Sequence, residues 1–200
     1  DRKVTDASGR LTGIKNTVKS STVSISNNSA AAADVVGGAK NLSLLKYTLN
    51  NNNVSDITVT GESYLATLDL TSDANRDKLK DLTVDLYING TLVASKNATS
   101  FAVVTDGVGN TDKVTVALDF SSSTFKVEKN KSATLELKTA SLPRFAENET
   151  FKVARTTPNS NVSDVNGNTL TTISNAGVTS YGLTVKAPKL DIAFASEDAS

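Results

Sequence analysis

The side chains best placed for chemistry are oxygen donors clustered in two loops. Asp106, Asn110 and Asp112 fall within one glycine-containing stretch, and Asp164, Asn166 and Asn168 alternate in another. Carboxylate and amide oxygens at alternate loop positions can converge on a hard cation, so calcium is the candidate ion at both. Neither loop has the distal glutamate of the complete helix-loop-helix calcium pattern, and each reads also as an Asx-rich hairpin turn. A second chemistry is covalent. N-x-S/T acceptors occur at Asn27, Asn41, Asn53, Asn89, Asn97, Asn130, Asn148 and Asn161. This exceeds the five or so expected by chance from the Asn, Ser and Thr content.

The missing residues narrow the field further. The chain of 200 residues contains no His, Cys, Met or Trp. Without His or Cys, neither a Ser-His-Asp nor a Cys-His nucleophile system can be assembled. Nitrogen and sulfur ligand sets for zinc, copper or haem are equally out of reach. Carboxylates alone could serve a glycosidase, but that needs a facing pair, and the 21 acidic residues show none by spacing. The expectation is a non-enzymatic protein without an organic cofactor. Lys plus Arg equals Asp plus Glu, giving zero net charge. A basic footprint for nucleic acid is therefore not expected, nor is a polybasic membrane contact. No apolar run approaches the ~18 residues of a spanning helix, so membrane insertion is not expected. A start at Asp1 with no Met anywhere reads as a mature or excised segment.

The elements that must position these groups read as short strands. Val114, Val116, Leu118 and Phe120 alternate with polar or small residues, the period-two signature of a half-buried strand. The same rhythm runs through Val84–Ile88, Leu135–Leu137 and Phe151–Val153. Further strands are expected at Thr22–Ser26, Ser43–Leu49, Val54–Thr60, Tyr64–Leu70, Phe101–Thr105, Val178–Lys186 and Lys189–Ala195. Asn89-Gly90 between two apolar runs is the strongest hairpin signal, with Asp106-Gly107 and Asn166-Gly167 as similar punctuation. One short helix is expected over Ser72–Leu82, with Ser72 as N-cap and a charged, solvated face. Phe120, Phe125 and Phe151 are expected in the core. The fold class is all-β: an antiparallel β-sandwich with at most one short helix.

Several segments carry a family likeness. Val35-Val36-Gly37-Gly38-Ala39-Lys40-Asn41-Leu42, followed by Leu45-Lys46-Tyr47, resembles the opening of immunoglobulin-like modules in prokaryotic surface-layer-type proteins. Thr83–Leu92 is similar to their central hairpin, and Thr124–Leu137 to their late strand, turn and strand. Thr150–Leu170, with Asp164-Val165-Asn166-Gly167-Asn168, is similar to their closing strand and turn. The resemblance implies an immunoglobulin-like sandwich, located outside the cell at its surface, with a structural role in an array or filament. It implies no catalytic residues.

The ends echo one another. Val4-Thr5-Asp6-Ala7-Ser8-Gly9 echoes Val162-Ser163-Asp164-Val165-Asn166-Gly167 in a V-x-D-x-x-G pattern, and Thr22–Ser26 echoes Lys189–Ala193; the readings are coincidence among β-rich segments or a repeat of roughly 160 residues. The expected organisation is residues 1–21 as the end of a preceding module or an exchanged strand. Residues 22–186 form the sandwich module, and 187–200 start a following module or form a second exchanged strand. Self-assembly by strand exchange, with copies of the chain as partners, is the first functional expectation. The alternative is an adhesin or carbohydrate-binding module that takes protein or glycan partners, with Thr156–Gly167 as the displayed loop. Aromatics at 5% leave few rings on which a sugar could stack.

Overall fold

A computed structural model describes residues 22–71, 73–98, 102–106, 112–158, 161–170 and 173–188. Within these, the chain builds a two-sheet sandwich. In chain order the strands are β1 (Val23–Asn27), β2 (Ala33–Val36), β3 (Lys40–Asn51) and β4 (Ile57–Leu70), then β5 (Thr83–Ile88), β6 (Thr91–Asn97) and β7 (Ala102–Asp106). They continue with β8 (Asp112–Val127), β9 (Ser132–Ser141), β10 (Thr150–Arg155), β11 (Val162–Asp164), β12 (Ile173–Ser174) and β13 (Leu183–Lys186). One sheet runs β12-β1-β3-β9-β5-β6; the other runs β2-β13-β10-β4-β8-β7, with β11 added beside the start of β4. The expected all-β sandwich holds, with one short helix among the described residues, but its two sheets are mixed rather than purely antiparallel. Pairing is antiparallel except at two sheet margins, where β1 lies parallel to β12 and β2 parallel to β13.

Period-two alternation becomes the core. Val114, Val116 and Leu118 on β8 lie beside Leu68, Ala66 and Tyr64 on β4, and with Phe120 they face the inner residues of β3, β5 and β9 in the other sheet, all essentially inaccessible. Phe120 and Phe151 are fully buried, while Phe125 packs against the core from its margin. With no cysteine in the chain, this apolar burial, at ~25 cal/mol per Å² removed from water, takes the place of any disulfide in holding the sandwich.

Two expected strands, Val54–Thr60 and Tyr64–Leu70, form one long strand with a bulge. Along β4 the inward residues are Ile57 and Val59, then Glu62, Tyr64, Ala66, Leu68 and Leu70. The inward set switches from odd to even positions at Gly61, which conceals the continuity from a period-two reading. Between the pairs Thr60↔Thr124 and Glu62↔Phe120, one residue of β4 opposes three of β8. Gly61 has φ +102°, and a Cβ there would sit 2.4 Å from the Ser121 carbonyl oxygen. Only glycine fits that approach.

The expected helix is a 3-10 helix over Asp73–Asp81; Ser72 lies outside the described residues. Leu79 and Leu82 are both buried. Their spacing of three matches the three residues per turn of that tighter helix, whose side chains eclipse at i and i+3. The expected strand Val178–Lys186 shortens to β13, because Gly182 at φ +97° breaks it. The expected strand Thr22–Ser26 is β1, bonded within this chain to β3 and β12. Residues 1–21 and the Lys189–Ala195 strand expectation lie outside the described residues.

Strand directions fix two poles. The described chain enters β1 beside Asn51, at the pole that also holds the turns 52–56, 128–131 and 165–168. It leaves β13 at the opposite pole, beside Gly37-Gly38 and the 142–149 loop.

Candidate functional site

Asp164 stands at the end of β11, where the chain turns back. One carboxylate oxygen accepts the Asn166 and Asn168 N–H groups at 2.8 and 2.9 Å, and the other accepts the Asn168 amide at 3.0 Å. Gly167 supplies the positive φ that the turn demands. The three expected ligands are thus brought together by an Asx turn in which Asp164 is the acceptor. These hydrogen bonds hold the Asp164 carboxyl below its ordinary range. In the other loop, Asp106 and Asp112 are register partners across β7 and β8, while Asn110 lies outside the described residues. Among the described residues, no group of three or more acidic side chains gathers as a metal site.

The acceptor asparagines divide by exposure. Asn27, Asn41, Asn89, Asn97, Asn130 and Asn148 are exposed, whereas Asn53 and Asn161 are 3% and 8% accessible. Asn41, Asn89, Asn130 and Asn148 adopt positive φ. Asn89, Asn130 and Asn148 occupy left-handed turn positions that Asn tolerates better than other side chains, with Thr91, Ser132 and Thr150 at the strand starts that follow; Asn41 lies within β3. Turn chemistry therefore accounts for three of the eight acceptor sequences.

The most developed polar cluster is one that spacing did not announce. The β4 bulge turns Glu62 into the sandwich, where Arg155 on β10 meets it with two hydrogen bonds of 2.7 and 3.1 Å. Both side chains are inaccessible to solvent. Thr157 donates its hydroxyl to the same carboxylate and accepts the Ser63 N–H. The Asn161 amide donates to the Gly61 carbonyl at 2.6 Å, and the Arg155 guanidinium also reaches the Thr157 and Ala176 carbonyls. Burial opposes the charge on Arg155, but Glu62 beside it holds the guanidinium protonated. Next to this pair, the Tyr47 and Tyr64 hydroxyls share a 2.9 Å hydrogen bond, and burial pushes both phenols well up. Ion pair and phenols alike are sealed from substrate. The cluster pins the polar stretch expected to be a displayed loop: Thr157, Asn161 and Val162 are buried against the sheet. The only sequence signals were the glycine inside a strand pattern and its acidic neighbour.

Surface features are fewer. Of the four tyrosines, Tyr181 alone is broadly exposed, at 60%, beside a small groove of about 150 Å³ bordered by Ala30, Ala31 and Ala33. A larger groove of about 530 Å³ opens at the exit pole between Val36, Arg144, Phe145, Lys186 and Pro188. No helix among the described residues is long and apolar enough to cross a membrane.

No known family model matches the sequence, and no curated protein matches it either. Solved structures give distant architectural likenesses. AvmM, which catalyzes macrocyclization in alchivemycin A biosynthesis, is 8% identical over 86% of this chain and 92% of its own, with a TM-score of 0.40. The PapD-like domain 7 of human CEP192 is 11% identical over 91% of this chain and 100% of its own, at 0.35. The collagen-binding domain of a Staphylococcus aureus adhesin is 12% identical over 84% and 99%, at 0.19. At such scores these likenesses assign the chain neither a relative nor an activity.

Proposed function

We propose that this chain is a non-enzymatic structural module of the extracellular cell surface that assembles with copies of itself into a layer or filament. One observation carries the reading: the described chain enters the sandwich at one pole and leaves at the other, the geometry of end-to-end connection. A sequence without His or Cys supports a mechanical rather than a chemical role. The lack of Cys and Met, which leaves little for oxidants to attack, suits long service outside the cell. Strand exchange supplies the assembly chemistry, because main-chain hydrogen bonds to a sheet edge give affinity without a dedicated pocket. The exchanged segment is Lys189–Ala195, whose Leu190, Ile192 and Phe194 fall on one face of an extended strand. Deleting residues 187–200 and imaging the product by electron microscopy tests the reading. Loss of polymers with an intact sandwich is expected; unchanged polymers would sink it.

A second reading, an adhesin or glycan-binding module, draws on exposed Tyr181 at the rim of its groove. A glycan array and a matrix-protein binding screen separate the two. Specific binding lost in Tyr181→Ala would favour the adhesin.

A further inference from the structure

We infer that Asn166-Gly167 is a site of spontaneous covalent conversion, where the asparagine amide cyclises onto the following main-chain nitrogen and reopens as aspartate or isoaspartate. The Gly167 nitrogen, on losing its proton, attacks the side-chain carbonyl carbon of Asn166. A C–N bond forms, the amide nitrogen takes up a proton and leaves as ammonia, and a five-membered succinimide closes. Water then opens the ring. Attack at the side-chain carbonyl gives aspartate; attack at the main-chain carbonyl gives isoaspartate, whose backbone runs through the former side chain. Neither oxidant nor reductant enters. A following glycine favours the step, because it carries no side chain to obstruct the approach.

The chain has two Asn-Gly pairs, Asn89-Gly90 and Asn166-Gly167, and residue types alone rank them equally. All four residues are exposed. The fold separates them. The Asn89 side-chain oxygen accepts the Thr134 N–H at 2.9 Å, and the Asn89 N–H donates to the Thr134 carbonyl at 2.8 Å. Thr134 lies on β9, an interior strand paired with both β3 and β5. To bring the Asn89 amide carbon onto the Gly90 nitrogen, the hairpin must detach from the middle of a sheet.

Asn166 has no such anchor. Among the described residues nothing holds its side-chain amide. Its turn closes on Asp164, whose carbonyl accepts the Gly167 N–H at 3.1 Å and whose carboxylate accepts the Asn166 N–H at 2.8 Å. Residues 165–169 are all exposed, so opening this loop frees the Gly167 nitrogen without disturbing either sheet. Each conversion adds a negative charge beside Asp164. Isoaspartate also inserts a methylene into the main chain, which takes the Asn168 N–H out of register with the Asp164 carboxylate. In a chain with no Cys or Met to oxidise, this turn is where age is recorded.

The test incubates the full chain, folded, at mildly alkaline pH in oxygen-18 water. Peptide mass mapping follows each asparagine, with isoaspartate resolved from aspartate by fragmentation. Loss of ammonia with gain of one heavy oxygen is expected at Asn166, about tenfold or more faster than at Asn89, whose anchoring hydrogen bonds must first open. In denaturant the two pairs should convert at similar rates. Equal rates in the folded chain, or faster conversion at Asn89, would overturn the inference. A preference for Asn166 that survives unfolding would overturn it too, since the fold would then not be its cause. Asn166→Gln should abolish the signal at an unchanged melting temperature; a lowered one would show that the amide is held in place and count against the site.

Discussion

Glu62 and Arg155 place opposite charges where no water reaches, and their contribution turns on completeness. A buried pair can barely offset its own desolvation, but removing one partner strands the other, at about 3–5 kcal/mol. Glu62→Ala should therefore lower stability by about that amount in urea unfolding. Glu62→Leu combined with Arg155→Met should recover most of the loss. A double variant as unstable as the single one would show that the polar contacts to Thr157 and Asn161 matter more than the charges. Three surface carboxyls carry an acid response. Asp56 is held low by Lys126, Asp119 by the Ser121 N–H and hydroxyl, and Asp164 by the Asn168 amide and N–H. Each carboxyl binds protons more weakly folded than unfolded. Their stabilisation is complete above the ordinary value of 3.8 and is lost as pH falls through the lower folded values. Unfolding midpoints should decline below about pH 4. Asp164→Asn should flatten that decline, and an unaltered acid limb would show that Asp164 contributes none of it.

At the scale of elements, the bulge in β4 is the decisive device. It reverses the strand's inward parity, turns Glu62 into the core, and brings the β8 backbone against Gly61. Gly61→Ala places a Cβ 2.4 Å from one backbone atom and 2.5 Å from another, neither on a movable side chain. The expected cost exceeds about 3 kcal/mol in chemical denaturation. Gly90→Ala is a useful contrast, since Gly90 has φ +80° but nothing within 4 Å of the added carbon. Its cost should be about 1–2 kcal/mol, the left-handed backbone penalty alone. Equal costs would mean that the β4–β8 approach is not what demands glycine. The Asn89-Gly90 hairpin was legible in two residues because turn chemistry is local. The bulge was not, since its cause is the backbone of a strand some sixty positions away.

Across the whole molecule, exposure decides which sequence motifs remain chemically available. In a host that modifies N-x-S/T sites, peptide mapping by mass spectrometry should find sugar confined to Asn27, Asn41, Asn89, Asn97, Asn130 and Asn148. Occupancy at Asn161, whose amide is bonded to the Gly61 carbonyl inside the sandwich, would contradict the packing described. Fold class, most strands and the aromatic core were readable from sequence. Alternation, Asn-Gly turns and residue types act over a few positions or by composition alone. What the sequence concealed depends on contacts between distant segments. The Glu62–Arg155 pair joins residues 93 apart, and β1 and β2, close in the chain, lie in different sheets. The poles at which the described chain enters and leaves also required the tertiary structure, because strand direction is set by pairing between segments far apart in the chain and no local pattern encodes it.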